Sequence, residues 1–374
     1  MLTACGSKEN WKKELEDAGT TVHVTYDANG GLFDKYRTMD VYISPGAPIP
    51  NVETTPKLFN PVLAGYFVEG WYYASYDSEG NLVLSDRRVD FSDCRTDTDV
   101  VVAPKWEEEY QIRFYEGDGK TVALQYSVRP STSYEKPALS DPVKDGYTFL
   151  GDYVYDNADV SGDKVVTFPL TYDSVRASDA DGDRVVSLHP AFLENVGGKP
   201  WVIVRTKTDL AKGTNYYLLA DLDFTNDTPF NYTTWAYRFR GTDGVLEGNG
   251  HTIRGLRVAA TPGKNDKSCG LFPESAFGEI RNVTFENCAV KADFTEYGTG
   301  GPDYFVAFLF GRTENTVLSG VTFTGCTLNV ICDGEKPPLS GALIADEEST
   351  LTKDGLPVLP DTPCDGITVA VETP

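Results

Sequence analysis

The sequence predicts an all-β protein that ends in a solenoid of stacked parallel coils. One pattern occurs twice, Val-Thr-Phe-x-x-Cys at residues 283–288 and again at 321–326, an offset of 38. At the same offset, Gly270-Leu271-Phe272 is answered by Phe308-Leu309-Phe310. Two features repeating together mark a structural repeat. Aromatic residues make up 12% of the chain, and 35 Gly and 22 Pro supply turns, a composition that favours strands over helices. In each copy Val and Phe fall on one face of a strand, and the Thr between them takes the other. Strands this short bury their apolar face only against a neighbouring coil, which is the logic of a solenoid.

A chain of 374 residues, 40% of them hydrophobic, has length for two to three domains and enough apolar material for their cores. The net charge of −23 argues against nucleic acid as a partner, because phosphate binding needs clustered Lys and Arg. No stretch approaches the ~20 apolar residues of a membrane-spanning helix. The seven cysteines (Cys5, Cys94, Cys269, Cys288, Cys326, Cys332 and Cys364) form no CxxC pair, so neither a zinc site nor any other cofactor is expected. Cys288 and Cys326 would lie on adjacent coils ~4.8 Å apart, within disulfide range but pointing the same way. Buried thiols in a ladder are the preferred reading, and a disulfide is the second.

Residues 1–20 form the first segment. Leu2-Thr3-Ala4-Cys5 resembles the bacterial lipobox, which implies a lipid on Cys5 and an anchor on the outer face of the cell envelope. The apolar run that should precede such a motif is expected upstream of Met1. Residues 10–19 read as a short helical spacer.

Residues 21–108 read as a small β-module. Residues 22–26 alternate like a strand and run into the turn Asp27-Ala28-Asn29-Gly30-Gly31. Gly65-Tyr66, Gly70-Trp71-Tyr72 and the closing Asp99, Ala103, Lys105 and Trp106 complete a pattern that resembles the Listeria–Bacteroides repeat, or internalin B-type repeat. A divergent second copy occupies residues 109–196, with Phe114 answering Tyr26, Gly146 answering Gly65 and Phe192 answering Trp106 at offsets of 88, 81 and 86. It departs from the pattern where Asp152 replaces the central Trp and Phe192 the closing one. The resemblance implies two β-grasp-like modules with a spacer or adhesion role. Trp71 and Trp106 read as core anchors. Tyr72, Tyr73 and Tyr76 are candidates for an exposed binding surface, against the plainer reading of ordinary sheet surface.

The acidic run at 179–183 fails as an EF-hand, since Arg184 and Pro190 stand where Gly and an acid are required. It reads as a solvated turn before an adventitious calcium site.

Residues 197–374 form the solenoid. Ala220-Asp221-Leu222-Asp223, the segment 248–253, Gly270-Leu271-Phe272 and the strands near 280–285 and 321–323 resemble pectin-lyase-like β-helices with GLUG-type repeats. The resemblance implies a short right-handed parallel β-helix. A further coil is expected from 341–345 and 367–371, with 346–365 as a Pro-rich loop. Nothing recognisable caps the end, so a partner or further chain is expected there. Relatives of this shape include polysaccharide lyases and glycosidases, so a catalytic role is one alternative. Asp221 and Asp223 share a strand face ~6.6 Å apart, within the span of an inverting carboxylate pair, and Glu247 is a third candidate. A solvated strand edge gives the same pattern. His251, in a Gly-Asn-Gly-His turn, reads as satisfying backbone groups.

The sequence therefore favours a lipid-anchored, non-catalytic surface protein that presents its β-helix to a glycan or to a host or bacterial surface protein. A polysaccharide-degrading enzyme and a structural stalk of the envelope are the alternatives.

Overall fold

The computed structural model describes residues 21–56, 58–130, 132–155, 165–210, 213–239, 243–261, 267–274, 276–295, 303–332 and 338–372. The lipobox with Cys5 and the spacer at 10–19 lie outside these. Strands dominate; two short α-helices and one 3-10 turn are the helical elements among the described residues. The chain divides into two compact units, residues 1–140 with 152–190, and residues 141–151 with 191–374.

The first module comprises β1 (Val22–Asp27), β2 (Thr38–Ile43), β3 (Tyr66–Tyr76), β4 (Leu82–Arg88) and β5 (Val100–Glu108), in sheet order β2-β1-β5-β3-β4. Strands β1 and β5 pair in parallel through Val24–Val100, Thr25–Val101 and Tyr26–Val102. Alternation puts Val22, Val24 and Tyr26 inward, where they are buried. Trp71 is the hub of this core. Tyr26 and Phe91 meet it edge-on at 5.8 and 6.1 Å, and Phe33 stacks on it at 6.4 Å. Trp106 is half-buried, and its indole N–H donates to the carbonyls of Ala28 and Asn29. A Cβ on Gly31 would stand 2.7 Å from that indole, so the turn needs glycine there. Trp71 is buried in the core, as its place in an alternating strand suggests, whereas Trp106 is only half-buried and braces the turn at Ala28 and Asn29.

Next come β6 (Tyr110–Tyr115), β7 (Val122–Val128), β8 (Tyr147–Tyr155), helix α1 (Tyr172–Ser178) and β9 (Val185–Glu194). Their sheet order, β7-β6-β9-β8, repeats β2-β1-β5-β3 of the first module, and β6 pairs in parallel with β9 as β1 does with β5. Phe114 takes the place of Tyr26, 1% exposed and edge-on to Tyr153 at 5.1 Å. Asp152 stands where the first module has Trp71, and the adjacent Tyr153 supplies the buried ring instead. Thr171 caps α1, accepting from Ser174 N while Ser174 Oγ accepts from Thr171 N.

The rest of the chain runs through β10 (Trp201–Val204), β11 (Asn215–Leu218), β12 (Leu222–Asp223), β13 (Phe230–Asn231) and helix α2 (Tyr232–Ala236). Then follow β14 (Gly244–Glu247), β15 (Thr252–Arg254), β16 (Arg257–Ala260), β17 (Ser268–Cys269), β18 (Phe277–Arg281), β19 (Thr284–Glu286), β20 (Ala289–Asp293) and β21 (Phe305–Ala307). The last are β22 (Thr316–Ser319), β23 (Thr322–Thr324), β24 (Cys326–Ile331), β25 (Leu339–Gly341), β26 (Leu351–Lys353), β27 (Leu356–Val358) and β28 (Ile367–Glu372). They form four sheets, β10-β11-β14-β18-β22-β26-β27, β12-β15-β19-β23, β13-β16-β20-β24-β28 and β17-β21-β25. From β14 to β25 the chain makes three passes, each giving one strand to every sheet in the same order. The pairings are parallel except β26 with β27.

The repeated motif lands in register. Thr284 pairs with Thr322 and Phe285 with Phe323, and Phe272 bridges Phe310. The rings of Phe285 and Phe323 stack at 5.6 Å and 12° inside the coil. Cys288 and Cys326 are buried free thiols, each donating to a carbonyl of the pass before, Ile253 O and Phe285 O, at 3.3 Å. The hydrogen bond to Cys326, and burial, push the Cys288 thiol up.

Corners between sheets are turned by residues in the left-handed region. Asn282 (φ 52°) and Gly320 (φ 61°) occupy one corner, and Gly255, Asn287 and Gly325 (φ 67°, 52° and 63°) the next. Asn and Gly are the residues that enter this region at least cost. Residues 346–365 differ from the expected loop, because they hold the hairpin β26–β27. Its turn is Asp354-Gly355, both at positive φ, and Asp-Gly is a favoured two-residue hairpin turn.

Two glycines near one corner separate crowding from strain. A Cβ on Gly248 would lie 2.3 Å from Asn282 O, whereas Gly250 (φ 81°) has open space. Gly248→Ala should destabilise the coil by about 3 kcal/mol. Gly250→Ala should cost only ~1 kcal/mol. Urea midpoints of the two variants check this.

Candidate functional site

The candidate residues of the coil lie on the outer faces of two sheets. Leu222, Ile253, Phe285 and Phe323 form the inward column of the second sheet. Strand alternation then turns their neighbours outward. One outer column holds Thr252, Thr284 and Thr322, with Asp221 at its head. The other holds Asp223, Arg254, Glu286 and Thr324.

Asp221 is exposed, and its Oδ1 accepts from Thr252 N at 2.9 Å and meets His251 Nδ1 at 3.1 Å. The His251 ring thus meets a carboxylate rather than the backbone, unlike the sequence expectation. The Thr252 N–H and the imidazole hold the Asp221 carboxyl below its ordinary value. Asp223 is exposed and also held low, by hydrogen bonds from the Thr225 side chain and N–H. Arg254 forks onto Glu286 Oε2 at 2.9 and 2.8 Å, and the Thr284 and Thr322 hydroxyls bond to each other at 2.8 Å.

Glu247 belongs to the first sheet and faces a different set of groups. It is 7% exposed, pairs with Arg281, and accepts from Asn249 N and Asn282 Nδ2. Those bonds pin the corner formed by Asn249 and Asn282. Among the described residues, Asp221, Asp223 and Glu247 do not form a cluster with ligand atoms within 4.8 Å of one another. Glycoside hydrolysis needs one carboxyl with a raised pKa as proton donor. Asp221 and Asp223 are both shifted the other way, and the interactions that lower them favour the ionised form.

The tyrosines do not form one platform. Tyr72 and Tyr76 share a strand face, while Tyr73 points to the opposite one and packs against the core beneath Arg87. Tyr72 OH donates to Glu69 and Tyr76 OH to Asp27, at 2.9 and 2.7 Å. Burial, then the Asp27 carboxylate, pushes the Tyr76 phenol up to about 12.

One acidic group does converge. Asp179, Asp181 and Asp183 bring ligand atoms within 4.8 Å of one another just after α1. The carboxylates also fold the loop, accepting from the backbone N–H groups of Arg184, Asp183 and Val185. Sequence reading reaches this run through the EF-hand test and misses the convergence, because spacing in a turn does not fix side-chain direction. It also misses the Asp221–His251 and Arg254–Glu286 pairs, whose partners are one pass apart.

The sequence model of the Listeria-Bacteroides repeat domain matches residues 110–165, which lie in the second module. The similarity falls on the copy that departs more from the repeat pattern, and it covers well under half of the chain. No curated protein and no solved structure matches the chain.

A depressed carboxyl stabilises the fold at pH above its unfolded value and loses that contribution as the pH falls through the folded one. Asp221 should therefore titrate below an ordinary aspartate by side-chain NMR. Asp221→Asn should flatten the acid limb of the stability profile, with a change below ~1 kcal/mol for so exposed a pair.

Proposed function

We propose that the protein is a non-catalytic binding protein of the cell surface. In this reading a lipid on Cys5 tethers the chain to the envelope. Two β-grasp-like repeat modules space it from the membrane. A right-handed, pectin-lyase-like β-helix with GLUG-type repeats meets a glycan. The observation that carries the reading is the outer strip of the second sheet, with Asp221, His251, Thr252, Thr284 and Thr322 along one column and Asp223, Arg254, Glu286 and Thr324 along the next.

Ladder pairing repeats these donors and acceptors at ~4.8 Å between passes. A sugar chain is recognised by such shallow arrays of hydroxyl, carboxylate and guanidinium groups, each bond contributing ~1 kcal/mol. The depressed Asp221 and Asp223 carboxyls supply acceptors and no proton donor, which favours binding over turnover. The repeat match at 110–165 fits a modular surface protein.

The test is affinity electrophoresis and product release on plant, host and bacterial polysaccharides, with and without Ca²⁺. Retention without new reducing ends or unsaturated products is expected. Thr284→Ala with Glu286→Ala should weaken retention roughly tenfold. Turnover that vanishes in Asp221→Ala or Asp223→Ala would establish the polysaccharide-degrading alternative instead.

A further inference from the structure

Four large apolar side chains of the first module stand in water on two linked loops. Leu32 is 43% exposed, Tyr36 60%, Phe59 56% and Val62 68%. Leu32 and Val62 exchange backbone hydrogen bonds of 3.0 and 2.9 Å, which sets them side by side as a cross-strand pair. Tyr36 follows a tight turn closed by two hydrogen bonds to Phe33, with Asp34 in the left-handed region at φ 56°. Phe59 precedes Val62 by three residues. The loops are firmly held. Phe33 is 1% exposed in the core, and the Trp106 indole is hydrogen-bonded beneath them. Fixed exposure of this kind marks a contact surface.

The charge of these loops opposes that of the chain. Residues 32–37 and 58–63 carry Lys35 and Arg37 against one acid, Asp34, in a protein of net charge −23. At physiological ionic strength charges beyond ~8 Å are largely screened, so the local balance governs the contact. Lys35 Nζ lies 5.3 Å from the Tyr36 ring centroid, so ring and ammonium reach out together.

We propose that these two loops are a membrane-contact site for anionic lipid. Tyr36, Phe59, Leu32 and Val62 enter the boundary between headgroups and acyl chains, and Lys35 and Arg37 meet the phosphates. Aromatic and aliphatic tips beside basic residues are the chemistry of that boundary. Four side-chain tips beside two cations suit a bilayer, which needs no shape-matched surface, better than a protein partner needing ~800 Å² of it. The site is independent of a lipid on Cys5, and it would hold the first module against the membrane rather than let it swing on a tether.

The experiment uses the full chain with Cys5→Ser, so that no acyl group contributes. It is sedimented with vesicles of equal parts phosphatidylcholine and phosphatidylglycerol, and with pure phosphatidylcholine. Binding to the anionic vesicles is expected, weaker in high salt and much weaker on the neutral ones. Phe59→Asp with Val62→Asp should lower the bound fraction about tenfold, and Lys35→Ala with Arg37→Ala by a similar factor. Far-UV circular dichroism checks the fold of each variant, and Phe59→Ser with Val62→Thr replaces the first pair should it unfold. Absence of binding at low salt, or binding that these variants leave unchanged, overturns the proposal. So does self-association that Val62→Asp abolishes without any lipid binding, which would make the patch a protein interface.

Discussion

The second unit depends on turning a corner within one residue without losing a rung of the ladder. A parallel sheet stacked pass on pass pairs its backbone only if each pass bends at the same place as the one beneath. Asn282 lies over Gly320, and Asn287 over Gly325, all four left-handed. The order of residue types follows from space. A Cβ on Gly325 would stand 2.4 Å from Asn287 Oδ1, so glycine there lets the asparagine side chain keep its place. Glu247 reinforces its corner by accepting from Asn249 and Asn282, which explains a nearly buried carboxylate without invoking chemistry.

Much of this architecture is legible in the sequence, because two passes carry the same Val-Thr-Phe-x-x-Cys. Their register, Phe285 on Phe323, follows from the offset of 38 alone. The earlier pass is harder to see. It reads Thr252-Ile253-Arg254-Gly255-Leu256, with neither the Val nor the Cys, and Ile253 precedes its partner Phe285 by only 32 residues. Unequal passes hide cross-strand partners, which is why Asp221–His251 and Arg254–Glu286 emerge only in three dimensions. The hairpin β26–β27 was legible through Asp354-Gly355, but the prolines around it speak more loudly for a loop. In the first module, the Trp71 anchor follows from alternation. Where Asp152 replaces a tryptophan, the adjacent Tyr153 is the buried ring, edge-on to Phe114.

The acidic balance of the chain is managed locally. Along the second sheet, carboxylates find Thr252 N–H, His251, Thr225 or Arg254 within hydrogen-bonding distance. Each is a modest, solvent-screened contact. Together they fix the direction in which these polar side chains point.

The sheet order of the modules has a mechanical side. In each, the first and last strands are neighbours and parallel, β1 with β5 through three register pairs and β6 with β9 through four. The entry of the first strand and the exit of the last therefore lie at opposite ends of the shared ladder. Tension applied through the flanking chain runs along the strands and loads these rungs together in shear, instead of opening them one by one. Resistance to forced unfolding is set by the rate of crossing that barrier rather than by equilibrium stability. A module of modest stability can thus behave as a stiff link when pulled from its two ends.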